Sequence, residues 1–139
     1  MKRISEKIIL DTAIRGTTIF FILVIGSVFF EGSIRTASLI VNLFLFAAGC
    51  YAFMAAFIRA VKRSRTEVIG VGGLYFLSGC APSKIRRQMM GLLFFQVVVS
   101  LTAASLRPFT IVASAVLVPV FGLGLSGLWA ANHGDFEPR

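Results

Sequence analysis

Three basic side chains follow a proline and a serine in the middle of the chain. Pro82-Ser83 is typical of a helix start with Ser83 as the N-cap, and Lys84, Arg86 and Arg87 then fall in the first turns. Because the helix dipole disfavours cations at that end, the pattern predicts a nearby anion. Acidic lipid headgroups are the simpler source. A phosphate-bearing ligand held by the two arginines and free N–H groups is the alternative.

Two neutral polar residues, Asn42 and Gln96, lie inside long apolar runs. At membrane depth we expect them to form interhelical hydrogen bonds, each contributing roughly 0.6–2 kcal/mol. A solute path lined by both residues is the alternative. We also expect no Asp, Glu, Lys or Arg deep in any span, since Arg15 can extend toward the headgroups. A proton relay would then have no ionisable side chain to carry the proton.

The stretch Gly122-Leu-Gly-Leu-Ser-Gly127 has the spacing of a dinucleotide-binding loop. That loop must join a strand to a helix, however, and here the glycines lie within an apolar run. We therefore predict a helix-packing face of small residues, Gly122 with Ser126 and Gly127 with Ala131. Pro119 is expected to kink the same helix.

Metal sites and catalytic triads lack the residues they need. The chain has two cysteines, Cys50 and Cys80, without CxxC spacing, and one histidine, His133. One histidine without suitable partners makes a Ser/His/Asp triad improbable. We expect no cofactor, no metal and no enzymatic activity.

Composition places the chain in a membrane. Its residues are 57% hydrophobic and only 14% charged, against about 25% charged in typical globular domains. The net charge of +8 could suggest nucleic acid. A continuous basic helix and an aromatic RNA platform are both missing, so lipid-facing basic loops explain the charge better.

Apolar runs long enough to cross a bilayer need about 20 residues. Four such runs predict an all-α, polytopic membrane protein with a single transmembrane domain. The predicted spans are 8–30, 36–58, 88–106 and 108–131.

Lys and Arg are distributed unevenly between the connections. Of the 14 basic residues, only Arg35 and Arg107 fall on one side of the predicted spans. The positive-inside rule then places both termini and the loop 59–87 in the cytoplasm, at a plasma (inner) membrane with an anionic inner leaflet. The two outer connections are very short, so the spans should form two helical hairpins.

The loop 59–87 contains an apolar stretch, 68–81, that is too short to span. Gly72-Gly73 between apolar flanks favours a β-hairpin with strands 67–71 and 74–78. A short interfacial helix around Leu74–Leu77 and a re-entrant loop are the other interpretations. We expect a structured interfacial connector.

Several short runs in roughly the C-terminal half of the chain share a distinctive pattern: Leu74–Gly79, Ala81-Pro82, Arg86-Arg87, Gln96–Val99, Arg107–Thr110, Val118–Trp129, His133-Gly134 and Pro138-Arg139. These runs resemble an uncharacterised family of small four-span membrane proteins of actinobacteria. The resemblance implies a four-span topology and a lineage, and it supplies no activity and no catalytic residues.

Taken together, the residues predict a non-enzymatic accessory, scaffold or interaction subunit of a membrane assembly. Its partner would be another membrane protein or further copies of itself, and no nucleic acid. The alternative is a small oligomeric transporter or channel in which Asn42 and Gln96 line the path. A lipid-modifying enzyme using Lys84–Arg87 is a third possibility, and it lacks a nearby general base.

Overall fold

The chain folds as a bundle of helices in a computed structural model that describes residues 5–139. Lys2 and Arg3, which contribute to the predicted charge asymmetry, lie outside the described residues. The elements are α1 (Glu6–Phe29), α2 (Ser33–Arg63), α3 (Val71–Phe76), α4 (Ser83–Leu106), a 3₁₀ helix (Ile111–Leu117) and α5 (Pro119–His133).

Four helical segments are long and apolar enough to cross a membrane: α1, α2, α4, and the 3₁₀ helix together with α5. These segments account for the four predicted spans, but two of them run further than predicted. α2 continues to Arg63, and α4 begins at Ser83. Hydropathy detects only the apolar part of a helix, whereas basic residues outside the hydrocarbon layer can extend it without desolvation.

The short apolar segment in the loop folds as α3, and no strand is assigned among residues 5–139. Of the interpretations that the sequence leaves open, the short helix is therefore the one found, and the β-hairpin is excluded. Gly72 and Gly73 lie within the helix and do not form a two-residue turn. The chain reverses instead after α3, where Leu77 and Gly79 both adopt positive φ, 55° and 74°. Gly79 takes this left-handed conformation without a Cβ penalty.

Pro119 separates two helix types. The chain is 3₁₀-helical over Ile111–Leu117, and α5 begins at Pro119. Pro119 thus marks a change of helix type within the span and occupies the first position of a new helix. A missing N–H costs nothing there, because that group has no intrahelical acceptor.

The bundle is organised around α2 and α5, which share the most extensive helix–helix interface. α1 packs against α2 and α4, and α4 also contacts the 3₁₀ helix and α5. α3 rests on α5. Large apolar side chains cover the outside, as at Ile22, Phe44 and Phe94, each more than 60% exposed. An apolar exterior of this kind is typical of helices surrounded by lipid.

The two ends of the bundle differ in charge. We call the end where α1 and α4 begin and α2 and α5 end the basic end. At the opposite end lie Arg35 and Arg107, and both bind the last turn of α1. The Arg35 Nε donates to the Ser27 carbonyl at 3.0 Å, and the Arg107 Nε donates to the Val28 carbonyl at 3.2 Å. The final carbonyls of a helix have no intrahelical donor, so these arginines satisfy them.

Candidate functional site

Arg63, the last residue of α2, connects α2 to the end of α5. Its Nη1 donates to the carbonyls of Ala130 and Ala131 at 3.3 and 3.2 Å, and its Nη2 donates to the Gly134 carbonyl at 2.9 Å. The Ala130 carbonyl also accepts the Gly134 N–H, and all three carbonyls lie at the negative end of the α5 dipole. One guanidinium therefore caps a neighbouring helix.

The same guanidinium makes two further contacts. Its Nη2 lies 2.6 Å from the Glu67 carboxylate, one turn further along the chain. The guanidinium carbon lies 5.2 Å from the centroid of the Phe136 ring, within cation–π range. Arg63 thus holds α2, the segment after it and the residues after α5 in one arrangement.

The final segment, residues 134–139, is bonded along its length. The Asp135 N–H donates to the Cys80 carbonyl at 2.8 Å, and the Val68 N–H donates to the Glu137 carbonyl at 2.8 Å. The Arg139 N–H donates to the Thr66 carbonyl at 2.9 Å. Glu67 and Pro138 form an isolated antiparallel bridge between the same segments. We call residues 64–82 and 134–139, together with Arg63, the basic-end cap.

Tyr75 fixes α3 within the basic-end cap. Its ring stacks on Phe53 with centroids 4.2 Å apart and planes 6° from parallel. Its hydroxyl donates to the Phe53 carbonyl at 3.1 Å. The other side of the ring meets Gly127, where an added Cβ would lie 2.5 Å from ring carbons. Burial raises the pKa of Tyr75 above its ordinary value, so the phenol stays a neutral donor.

Cys80 closes the turn after α3. Its Sγ lies 3.0 Å from the Gly73 carbonyl and donates to it. The thiol is buried, and burial raises its pKa above the ordinary value. The charges of the nearby Arg63 and Arg86 lower the pKa of Cys80, and the charge of Asp135 raises it. A thiol held neutral in this way is a structural donor and a poor nucleophile.

The predicted basic cluster lies at the start of α4 and is exposed. Pro82 occupies the N-cap position, and no side chain caps the helix. The expectation that Ser83 is the N-cap is therefore wrong by one residue. Lys84, Arg86 and Arg87 form no ion pair with any residue of the described range 5–139. Both arginines border an open cavity of about 450 Å³.

The two predicted intramembrane polar residues are buried and bonded to other helices. The Asn42 Nδ2 donates to the Ser114 Oγ at 3.0 Å, joining α2 to the 3₁₀ helix. The Gln96 Nε2 donates to the Thr17 Oγ1 at 2.7 Å, joining α4 to α1. The Asn42 Oδ1 and Gln96 Oε1 receive no hydrogen bond from residues 5–139. The Gln96 amide packs against Gly122, where an added Cβ would lie 2.5 Å from Oε1.

The predicted packing residues of α5, Gly122, Ser126, Gly127 and Ala131, are all buried. Among the glycines, however, the backbones come closest where Gly49 of α2 meets α5. An added Cβ at Gly49 would lie 2.5 Å from the Phe121 nitrogen, and one at Gly124 would collide with the Gly49 carbonyl.

Sequence reasoning missed Gly49 and the α2 face that carries it. A signal was present in the small residues Gly49, Ala52, Ala56 and Ala60, which recur every three or four positions and are all buried.

Arg15 lies deeper than its sequence position suggests. Thr17, two residues further along α1, bonds to Gln96 of α4. Gln96 lies about 15 Å along α4 from Arg86 at the basic end and about 16 Å from Arg107 at the opposite end, so it marks the middle level of the bundle. Arg15 itself lies two residues, or about 3 Å, from this middle level. The Cα of Arg15 therefore lies near the middle level of the bundle, and its long side chain can still extend toward the basic end.

No group of three metal-binding side chains occurs among residues 5–139. No protein-family model, curated protein or solved structure matches this chain. What the protein does is therefore inferred from its own geometry.

Proposed function

We propose that the protein is a multi-pass plasma-membrane subunit that acts by binding another membrane protein and catalyses no reaction. Its termini and the basic-end cap face the cytoplasm. The four apolar helices and their exposed apolar exterior support the membrane placement. The uneven distribution of basic residues supports the orientation.

One observation carries the binding role: the basic-end cap is a folded surface. Short connectors between spans are normally exposed and mobile. Here Arg63 caps α5, Tyr75 is inserted between α2 and α5, and residues 135–139 bond to 66–68 and to Cys80. A surface held in one shape loses little conformational entropy when a partner binds. Such order beyond the spans is what a docking surface requires.

The basic cluster at the start of α4 supplies the contact with lipid. Lys84, Arg86 and Arg87 are exposed and lack acidic partners among residues 5–139. Each would gain about 1 kcal/mol beside anionic lipid. The lipids would also relieve the unfavourable position of these cations at the helix start. We assign the cluster to the anionic inner leaflet, where it orients the cap toward the membrane surface.

The alternative role as an oligomeric transporter is less well supported. It needs Asn42 and Gln96 to line a path, yet their exposures are 1% and 0%, and their amide groups are bonded to Ser114 and Thr17. Flux of a solute in liposomes that Asn42→Leu or Gln96→Leu abolishes would favour transport over binding.

The binding role is tested by purifying the tagged protein from its native membranes in mild detergent. We expect a defined membrane partner to co-purify with the wild type and with Arg65→Gln, because the Arg65 side chain is exposed and forms no hydrogen bond or ion pair with residues 5–139. Arg63→Gln removes the same charge but releases the cap, so the partner should be lost. Recovery of the wild type without any partner would contradict the proposal.

Orientation has a separate test. A reporter inserted after Ser78 lies within the basic-end cap and should be active only on the cytoplasmic side. Activity on the outer side would contradict the assigned topology.

A further inference from the structure

The outward face of α1 carries a regular pattern of side chains. Residues spaced alternately four and three apart point away from the buried face of the helix, which is formed by residues such as Ile9, Ala13 and Phe20. Such 4–3 spacing is that of a helix–helix seam. The seam consists of Asp11, Arg15, Thr18, Ile22, Ile25 and Phe29. We call it the α1 seam.

Its apolar half is fully available. Ile22, Ile25 and Phe29 are 62%, 40% and 74% exposed, and they project from the half of α1 nearer the opposite end. Exposed apolar side chains alone need no protein partner in lipid, since acyl chains cover them equally well. The polar half of the seam is different.

Arg15 is exposed near the middle level of the bundle, and it forms no hydrogen bond or ion pair with residues 5–139. A guanidinium carries its charge in proteins, and an unpaired charge that faces the hydrocarbon layer is costly even where its side chain extends toward the basic end. A groove of about 340 Å³ between α1 and α2 borders Arg15, and its lining contains no acidic residue. Asp11, one turn away, is half-buried on the same face.

We propose that two copies of the chain associate through the α1 seam, so that Arg15 of each copy pairs with Asp11 of the other. Copies inserted in the same orientation are related by a twofold axis along the bundle, which places the two α1 helices side by side and parallel. Helical side chains tilt toward the helix N-terminus. The guanidinium therefore reaches the level of the second copy's Asp11, which lies about 6 Å nearer the basic end.

Charge balance identifies the occupant as a second copy. Two aspartates and two arginines form a neutral network within the seam, and every charge has an opposite neighbour. One α1 seam thus contains both halves of the required complement. The inference depends on the proposed membrane placement of α1, but it does not depend on partner binding by the basic-end cap.

The first test places a cysteine within the α1 seam. In a Cys50→Ser background, which removes the exposed thiol, Ile22→Cys is oxidised in native membranes. Ile40→Cys on α2 is the matched control, because the 63% exposure of Ile40 is close to the 62% exposure of Ile22. The two also lie at similar depth, because Gly26 contacts Ile34 and Gly16 contacts Leu45. We expect disulfide dimers several-fold more abundant with Ile22→Cys. Equal yields, or no dimer at Ile22, would overturn the proposal.

The second test exchanges charges between copies. A chain with Arg15→Asp carries two acidic seam residues, and a chain with Asp11→Arg carries two basic ones. Each variant alone should lose the Ile22→Cys crosslink, because four like charges would meet. Co-expression should restore it between differently tagged chains. If Asp11 and Arg15 paired only within one helix, co-expression would restore nothing, and the proposal would fail.

Membrane partners captured through the basic-end cap give an independent readout. Arg15→Asp or Asp11→Arg alone should leave the capture of membrane partners intact. Arg63→Gln should abolish this capture and leave the Ile22→Cys crosslink unchanged. The two proposals can therefore fail separately.

Discussion

Replacing Arg63 by glutamine should detach the final segment while the four long helices stay folded. The guanidinium donates to three carbonyls at the end of α5 and pairs with Glu67. Glutamine has a similar stem but cannot reach three acceptors at once, and it carries no charge. The residues beyond α5 then lose the group that holds them against α2.

The magnitude follows from the contacts. A hydrogen bond to a charged group contributes about 1.5–3 kcal/mol. The three carbonyls share one guanidinium that is 21% exposed, so water replaces part of the interaction and the bonds do not add. The ion pair with Glu67, itself 28% exposed, adds less than about 1 kcal/mol. We expect a loss of about 2–3 kcal/mol in the local stability of the basic-end cap.

Amide hydrogen exchange in detergent or nanodiscs measures this loss directly. The N–H groups of Val68, Asp135 and Arg139 bond across the cap and report its opening. A loss of 2–3 kcal/mol corresponds to roughly 30–150-fold faster exchange at these amides. Exchange within the long helices should stay unchanged.

Two controls separate the cap from its charge. Arg65→Gln removes the same charge two residues away and should leave exchange unaltered. Arg63→Lys keeps the charge but offers a single ammonium in place of the fork, so its effect should be intermediate. Wild-type protection of the three reporter amides in Arg63→Gln would refute the role assigned to this arginine.

Three further changes have defined outcomes. Gly124→Ala should destabilise the bundle by about 2 kcal/mol or more in a detergent unfolding assay, because the added Cβ meets the backbone of α2. Gly91→Ala is the control: an added Cβ there has nothing within 4 Å, so this variant should be neutral or slightly stabilising. Gln96→Met should cost less than about 1 kcal/mol in the same assay, since the lost bond is offset by removal of an unpaired buried oxygen. Cys80, which is buried, should react with a maleimide far more slowly in the folded protein than in the unfolded protein. Burial raises the pKa of Cys80 in the folded protein. The neutral thiol therefore contributes its full stabilisation below the ordinary thiol pKa, and this contribution is lost as the pH rises through the pKa of the folded protein. Unfolding measured over this pH range would detect the loss.

The four apolar spans were predictable because the thickness of the bilayer sets a minimum length for a membrane-crossing helix. Uncharged apolar runs of that length are typical of such helices. Their ends were less predictable. α2 gains its final turn from Arg59 to Arg63, where the last residue is fixed by carbonyls of α5 some 70 positions later. Hydropathy carries no information about such a distant acceptor.

The segment 68–81 could not be decided from the sequence, because local turn preference competed with tertiary packing. Gly72-Gly73 favours a hairpin turn in isolation. In the folded chain, Tyr75 buries its ring between Phe53 and Gly127, and this contact selects a helix. The pairing of Gly49 with Gly124 was missed for a related reason: glycines in two distant spans reveal their contact only once the helices are placed together.

The depth of Arg15 has a similar origin. The sequence shows a charged residue near one end of an apolar run, which suggests a headgroup contact. The bond between Thr17 and Gln96 instead aligns the middle of α1 with the middle of α4, so Arg15 lies only two residues from that level. An apparently peripheral arginine is thereby moved toward the centre of the bundle. Only the packing of one helix on another could reveal this shift.

Arginines act as helix caps at both ends of the bundle, and this changes how the charge asymmetry is interpreted. Arg35 and Arg107, the two basic residues at the opposite end, are both bonded to the last carbonyls of α1. Their presence there has a structural cause and does not weigh against the positive-inside rule. Lys84, Arg86 and Arg87, by contrast, are exposed at the basic end without acidic partners among residues 5–139. Charges not consumed by the fold are the ones available to lipid, and these three residues are the ones on which the proposed lipid contact rests.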